Sequence, residues 1–260
     1  MHIKWIKTNL SPIQKICLAA LFMALTVILQ KVLAVNYLAF APFVRLSFGG
    51  PALIIFSSIL LGPVYGAFVG LGSDLLGYLV FDPRTYPPYL QITAIYTLLG
   101  FVSYFVFSLV FSIKNKKAMF IIETASFAAI WLAISLFVIL NKQITLFTST
   151  YDIPLLGKIL IPSISGLIFV GLLMFSALYK SKDDNPVISP LHICFASFIC
   201  DFFVIVLFGS VMKAWAFGFA TYLAILLCQA IVLFFNVMLD TIFITTFQRF
   251  TKKYFVRDSL

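Results

Sequence analysis

Long uninterrupted apolar runs constrain this chain more than any other feature. A run of about 20 apolar residues matches a hydrocarbon layer of roughly 30 Å. Eight runs are legible, at about 13–35, 50–61, 64–81, 92–112, 119–140, 157–179, 190–210 and 215–247, the second of them short. Hydrophobic residues make up 62% of the chain and charged residues 10%, more apolar surface than a water-soluble core requires. In lipid each segment must satisfy its own backbone hydrogen bonds, which selects helices or closed barrels. The runs lack the period-2 alternation of barrel strands. The expected fold class is all-α, a polytopic membrane protein with about eight transmembrane helices.

Charge placement predicts topology. Basic residues cluster at Lys4, Lys7 and Lys15, at Lys114, Lys116 and Lys117, at Lys180 and Lys182, and at Arg249, Lys252, Lys253 and Arg257. With a cytoplasmic N-terminus, eight crossings return the C-terminus to the same side, and these clusters all fall there. Lys31, Arg45, Arg84, Lys142, Lys158 and Lys213 fall on the other side. The positive-inside rule therefore predicts both termini in the cytoplasm of a multi-pass cell-membrane protein. The net charge of +9 follows this pattern and is not a nucleic-acid footprint. The first span lacks a small-residue cleavage site, so no cleavable leader is expected. The links 141–156 and 180–189 are the longest non-apolar stretches, and no extramembrane domain is expected.

Catalysis finds little support in the residues. His2 and His192 have no partner at metal-ligand spacing, and no HExxH, GxSxG or paired-carboxylate motif appears. Cys17, Cys194, Cys200 and Cys228 lie within apolar runs without CxxC spacing, so neither a disulfide framework nor a metal site is expected. Without a GxxxxGK[ST] loop, ATP would have to be hydrolysed by another polypeptide. The chain is expected to be no enzyme and to carry no cofactor.

A few polar residues interrupt the runs between 45 and 93. Arg45 sits between Pro42-Phe43-Val44 and Leu46-Ser47-Phe48. Arg in mid-membrane costs roughly 2.5–3.5 kcal/mol on insertion scales. Either it offers a guanidinium at the mouth of a pocket, or it snorkels to water. Asp74, in Gly72-Ser73-Asp74-Leu75, either accepts from ring N–H groups of a ligand or pairs with Arg45 to tie two helices. The loop from Phe81 to Thr93 holds three prolines with Tyr86 and Tyr89. It reads as a gate over a flat ligand or as an interfacial aromatic belt. Ala20/Ala24 and Gly66/Gly70 are small-xxx-small pairs, which permit close helix approach. Asp201 and Asp240 are further acids within spans, far apart in sequence and without a His relay, and Glu123 is expected to reach the interface from the fifth helix.

Several of these strings together resemble the substrate-binding S component of energy-coupling factor (ECF) vitamin importers, closest to the folate-specific type. They are Ala20-Leu21-Phe22-Met23-Ala24-Leu25, Arg45-Leu46-Ser47-Phe48-Gly49, the LxGPxxGAxVGxxxDLLG string from Leu61 to Gly77, and Tyr86-Pro87-Pro88-Tyr89 leading into Thr93. The resemblance is strong over about 15–112 and faint over about 190–250. That family has six helices. The resemblance therefore implies a core from 1–117 and 186–260, the latter ending in a basic cytoplasmic tail, with 118–185 as an inserted helical hairpin. It implies ligand contacts at Arg45, Phe48, Asp74, Tyr86, Tyr89 and Thr93. It also implies docking through Ala20 and Ala24 onto a transmembrane coupling subunit driven by two cytoplasmic ATPases. A folate, with its flat pterin and anionic tail, suits an Arg, an Asp and aromatics, and smaller vitamins satisfy the same description. A self-sufficient secondary transporter of a small organic solute, using the intramembrane acids, is the alternative.

Overall fold

The computed structural model describes residues 10–33, 48–81, 89–146, 149–178, 189–219 and 222–255. Among these, seven helices are long and apolar enough to cross a membrane, and an eighth apolar helix is short. This is a multi-pass helical membrane protein.

Helix α1 (Pro12–Val27) begins with a capping box. Ser11 Oγ accepts from the Gln14 N–H at 3.3 Å, Gln14 Oε1 accepts from the Ser11 N–H at 2.9 Å, and Pro12 occupies the first turn. A π-helical turn, Ile28–Val32, completes the span.

Helix α2 (Gly50–Leu61) has every one of its 12 residues buried. At 1.5 Å per residue it is about 18 Å long, too short to cross lipid and suited to a place inside protein. Gly49 precedes it at φ 81°, where a Cβ would also meet the Phe243 ring at 2.8 Å. Gly62 ends it at φ 103°, and Pro63 opens α3 (Pro63–Phe81) at once. Glycine supplies both positive-φ corners without steric cost.

Helices α3 and α4 (Leu90–Phe111) pack almost backbone to backbone. A Cβ on Gly66 would fall 2.6 Å from the Gly100 carbonyl oxygen, one on Gly100 would strike the Gly66 carbonyl, and one on Gly70 the Tyr96 carbonyl. The Gly66/Gly70 pair therefore serves packing within the chain.

Helices α5 (Lys116–Leu140) and α6 (Leu155–Leu178) pack on each other and against the later helices. Trp131 lies over Gly166 and donates its indole N–H to the Pro162 carbonyl at 3.0 Å. Between the two helices, the link at 141–156 carries a two-stranded antiparallel ribbon, β1 (Gln143–Leu146) and β2 (Ser149–Asp152), with Gln143 opposite Asp152. This is a departure from a purely helical chain, and the Ile, Thr and Tyr of QITL and STYD suit paired strands.

Helix α7 (Pro190–Cys200) runs through a π-helical stretch, Asp201–Phe208, into α8 (Gly209–Phe217), so one continuous span reaches beyond the expected 210. Gly218, at φ 106°, breaks it. Helix α9 (Tyr222–Phe255) has 34 residues and at about 51 Å exceeds the hydrocarbon thickness. The spans 190–216 and 222–250 bury 67% and 56% of their most apolar windows, against 17% for α6 and 22% for α1. The core is thus α2 with α7 and α9, walled by α1, α3 and α4, with α5 and α6 outermost.

Gly100→Leu is expected to lower the unfolding free energy by about 1–3 kcal/mol, because overpacking forces two backbones apart. Gly171, with open space around it, is the control: Gly171→Ala should leave the chain as stable or up to about 1 kcal/mol more so. Thermal unfolding of the detergent-purified variants reads both.

Candidate functional site

Four helices bring polar side chains together near the end of the bundle where α3 stops and α4 starts. Asp74 comes from α3 and Thr93 from the first turn of α4. Thr93 Oγ1 donates to Asp74 Oδ2 at 2.6 Å. Thr93 is buried at 6% exposure, so this is a shielded contact. Helix α8 adds Lys213 and α9 adds Gln229. The Gln229 amide, oriented by its partners, accepts from Lys213 Nζ at 2.5 Å and donates to the Ile205 carbonyl. Asp74 lies close enough to Lys213 to act on it electrostatically. Membrane insertion of a lone Lys or Asp costs roughly 2.5–3.5 kcal/mol each, which opposite charge and hydrogen bonding offset. The result is a compact set of one cation, one carboxyl, one amide and one hydroxyl.

The expected ligand residues divide. Asp74 and Thr93 are joined. Tyr89 stands at the start of α4, its carbonyl accepting from the Ile92 N–H at 2.9 Å and the Thr93 N–H at 3.3 Å. Phe48 is 37% exposed and meets Phe235 edge-on with ring centroids 5.8 Å apart. Arg45 and Tyr86 lie outside the described residues. Ala20 and Ala24 are both exposed, on a face of α1 shared with Ile13, Ile16 and Leu21.

Comparison with known proteins gives no match to a family model, to a curated protein or to a solved structure.

Two residues of the cluster were not among the expected ones. Lys213, counted by sequence with the charges beyond the membrane, sits inside the helical span and turns inward to Gln229. The signal for both is the same: one polar side chain in an apolar run, FGSVMKAWAFG and ILLCQAIVLF. Glu123 needs correction too. It does not reach the interface but is fully buried at 0% exposure beside Cys194, two turns into α5 on its inward face. His192 braces the start of α7. Its Nε2 lies 3.2 Å from the Ile113 carbonyl and must carry the proton, since a carbonyl only accepts.

An open groove of about 510 Å³ runs beside the cluster, lined by Ala67, Leu71, Leu90, Thr93, Ala94, Thr97, Leu98, Phe101 and Phe208. It shares only Thr93 with the polar set, and its chemistry suits an acyl chain. No group of three or more metal-ligating side chains occurs among the described residues.

The Asp74–Thr93 contact predicts non-additivity. In a double-mutant cycle on unfolding free energy, Asp74→Asn and Thr93→Val should show a coupling of about 0.5–3 kcal/mol. Additive losses would mean that the two side chains do not depend on each other.

Proposed function

We propose that this chain is the membrane-embedded, substrate-binding subunit of an ATP-driven vitamin importer of the ECF type, with a folate as its ligand. The observation that carries the reading is the cluster of Asp74, Thr93, Lys213 and Gln229, drawn from four helices at one end of the bundle. Its groups match a folate part by part. A carboxyl accepts from pterin ring N–H groups, an ammonium meets the glutamate tail, and an amide and a hydroxyl fix orientation. Tyr89, at the start of α4, adds an aromatic residue near the same end. In this reading that end faces outward and both termini are cytoplasmic.

Energy comes from outside the chain. Two ATPase subunits act through a transmembrane coupling subunit, which docks on the exposed Ala20/Ala24 face of α1. Alanines one turn apart let a partner helix approach closely. The α5–α6 hairpin, packed on the far side against α7 and α9, leaves that face open.

Co-reconstitution tests the reading. Vesicles holding this chain with a coupling subunit and its ATPases should accumulate labelled folate only with ATP, and a proton gradient should not replace ATP. Ala20→Trp with Ala24→Trp should reduce uptake at least tenfold while folate binding to the isolated chain stays within twofold. Uptake by the chain alone, driven by a proton gradient, would establish a secondary transporter instead.

A further inference from the structure

A second polar cluster lies deeper and takes no part in that reading. Asp201 begins the π-helical stretch after α7, and Asp240 lies on α9. Both are fully buried, at 0% exposure, and their carboxyls face each other within hydrogen-bonding range. The N-terminus of α2 points at the pair, with the Ala52 backbone N–H beside Asp240. As third residue of the helix, Ala52 has no intrahelical acceptor for that N–H. Among the described residues no side chain donates to any of the four carboxyl oxygens.

Ser197 is an independent observation. Its hydroxyl is fully buried and has no hydrogen-bond partner among the described residues. It lies between Cys194, which contacts Thr241 and Glu123, and Asp201, which contacts Asp240. At 3.6 residues per turn, residues 194, 197 and 201 fall within about 60° of one another. The Ser197 hydroxyl is therefore aimed into the seam that holds the two acids.

Among the described residues the surroundings supply no full positive charge. Helix α2 contributes no titratable side chain, and α4 contributes Ser103, whose hydroxyl donates to the Leu99 carbonyl and lies beside the Cys200 thiol. Glu123 of α5 and Cys194 stand nearer the Asn115 end. No described Lys or Arg acts on either carboxyl. Two carboxylates side by side in a low-dielectric interior cannot both stay charged without a cation between them. The helix N-terminus supplies only about half a charge. That partial charge favours a single added positive charge over two.

We propose that Asp201, Asp240 and Ser197 form a binding site for one exchangeable monovalent cation, a proton or a sodium ion, seated at the N-terminus of α2. The four carboxyl oxygens would hold it, with the buried Ser197 hydroxyl one turn before Asp201 on the same face of α7. Beyond Asp240, α9 carries the buried polar side chains Thr241, Thr245 and Gln248. The π-helical geometry that starts at Asp201 fits such a role, since π-bulges gather at functional sites.

The test needs no solute. The purified full-length chain is followed by infrared difference spectroscopy during a pH titration, and by thermal unfolding in sodium chloride against choline chloride at equal ionic strength. A proton occupant gives a protonated-carboxyl band that titrates and disappears in both Asp201→Asn and Asp240→Asn. A sodium occupant gives no such band but a sodium-specific rise in Tm that both variants lose. Ser197→Ala should weaken the sodium response about threefold or more, or shift the proton titration, and it reports on the site even if an Asn variant fails to fold. A folded chain with neither response overturns the proposal. So does a band that survives both Asn variants without a sodium effect, because its carboxyl then lies elsewhere.

Discussion

Helix α2 is enclosed by α1, α3, α4 and α9, and none of its residues reaches lipid. A helix that crosses a bilayer presents its ends to water, but this one must satisfy them inside the protein. Its first turn meets Asp240 on α9, and its last is turned back by Gly62 into Pro63 of α3. The neighbours are fixed by these ends. Phe56 packs between Phe22 of α1, edge-on with ring centroids 5.7 Å apart, and the tilted ring of Phe247 of α9 at 5.4 Å. Gly66, just beyond the corner, seats α3 against both Ser58 and Gly100. Moving any wall would expose the buried helix or leave an acid without its helix terminus.

That architecture separates two kinds of polar chemistry. The cluster around Asp74 lies near the ends of α3 and α4, on helices that flank the buried one, and combines both signs of charge with neutral donors. The pair Asp201–Asp240 lies against α2 itself and holds acids alone. A mixed cluster near an opening suits a solute with both donors and acceptors, whereas an all-acid pair in the interior suits a small cation. The continuous span through α7, the π-helical stretch and α8 connects them, with Asp201 at its middle and Lys213 near its end.

The sequence made the spans legible because run length is a direct readout of bilayer thickness. It also separated the runs on either side of Gly62-Pro63 and marked the close packing at Gly66 and Gly70 and the polar Asp74, while Thr93 entered through the resemblance. Lys213 was misplaced because Gly209 and a charged residue resemble a helix end. Gly209 keeps helical geometry, and the lysine finds Gln229 inside. Asp201 and Asp240 stood apart along the chain, and only the packing of α7 on α9 puts them face to face. Glu123 looked interfacial from its place near the start of α5, but helical phase directs it to Cys194. The ribbon at 143–152 is not legible in the 141–156 link, because four-residue strands carry little periodic signal.

Equilibrium binding to the purified chain alone, without ATP or partner subunits, tests the central claim most directly. Folate and its reduced forms are compared with riboflavin, thiamine and biotin. The account predicts saturable folate binding at nanomolar concentration, weakened at least tenfold by Asp74→Asn or Lys213→Met in folded protein. A folded chain that binds no folate, or binds it equally well with both residues changed, would contradict the account.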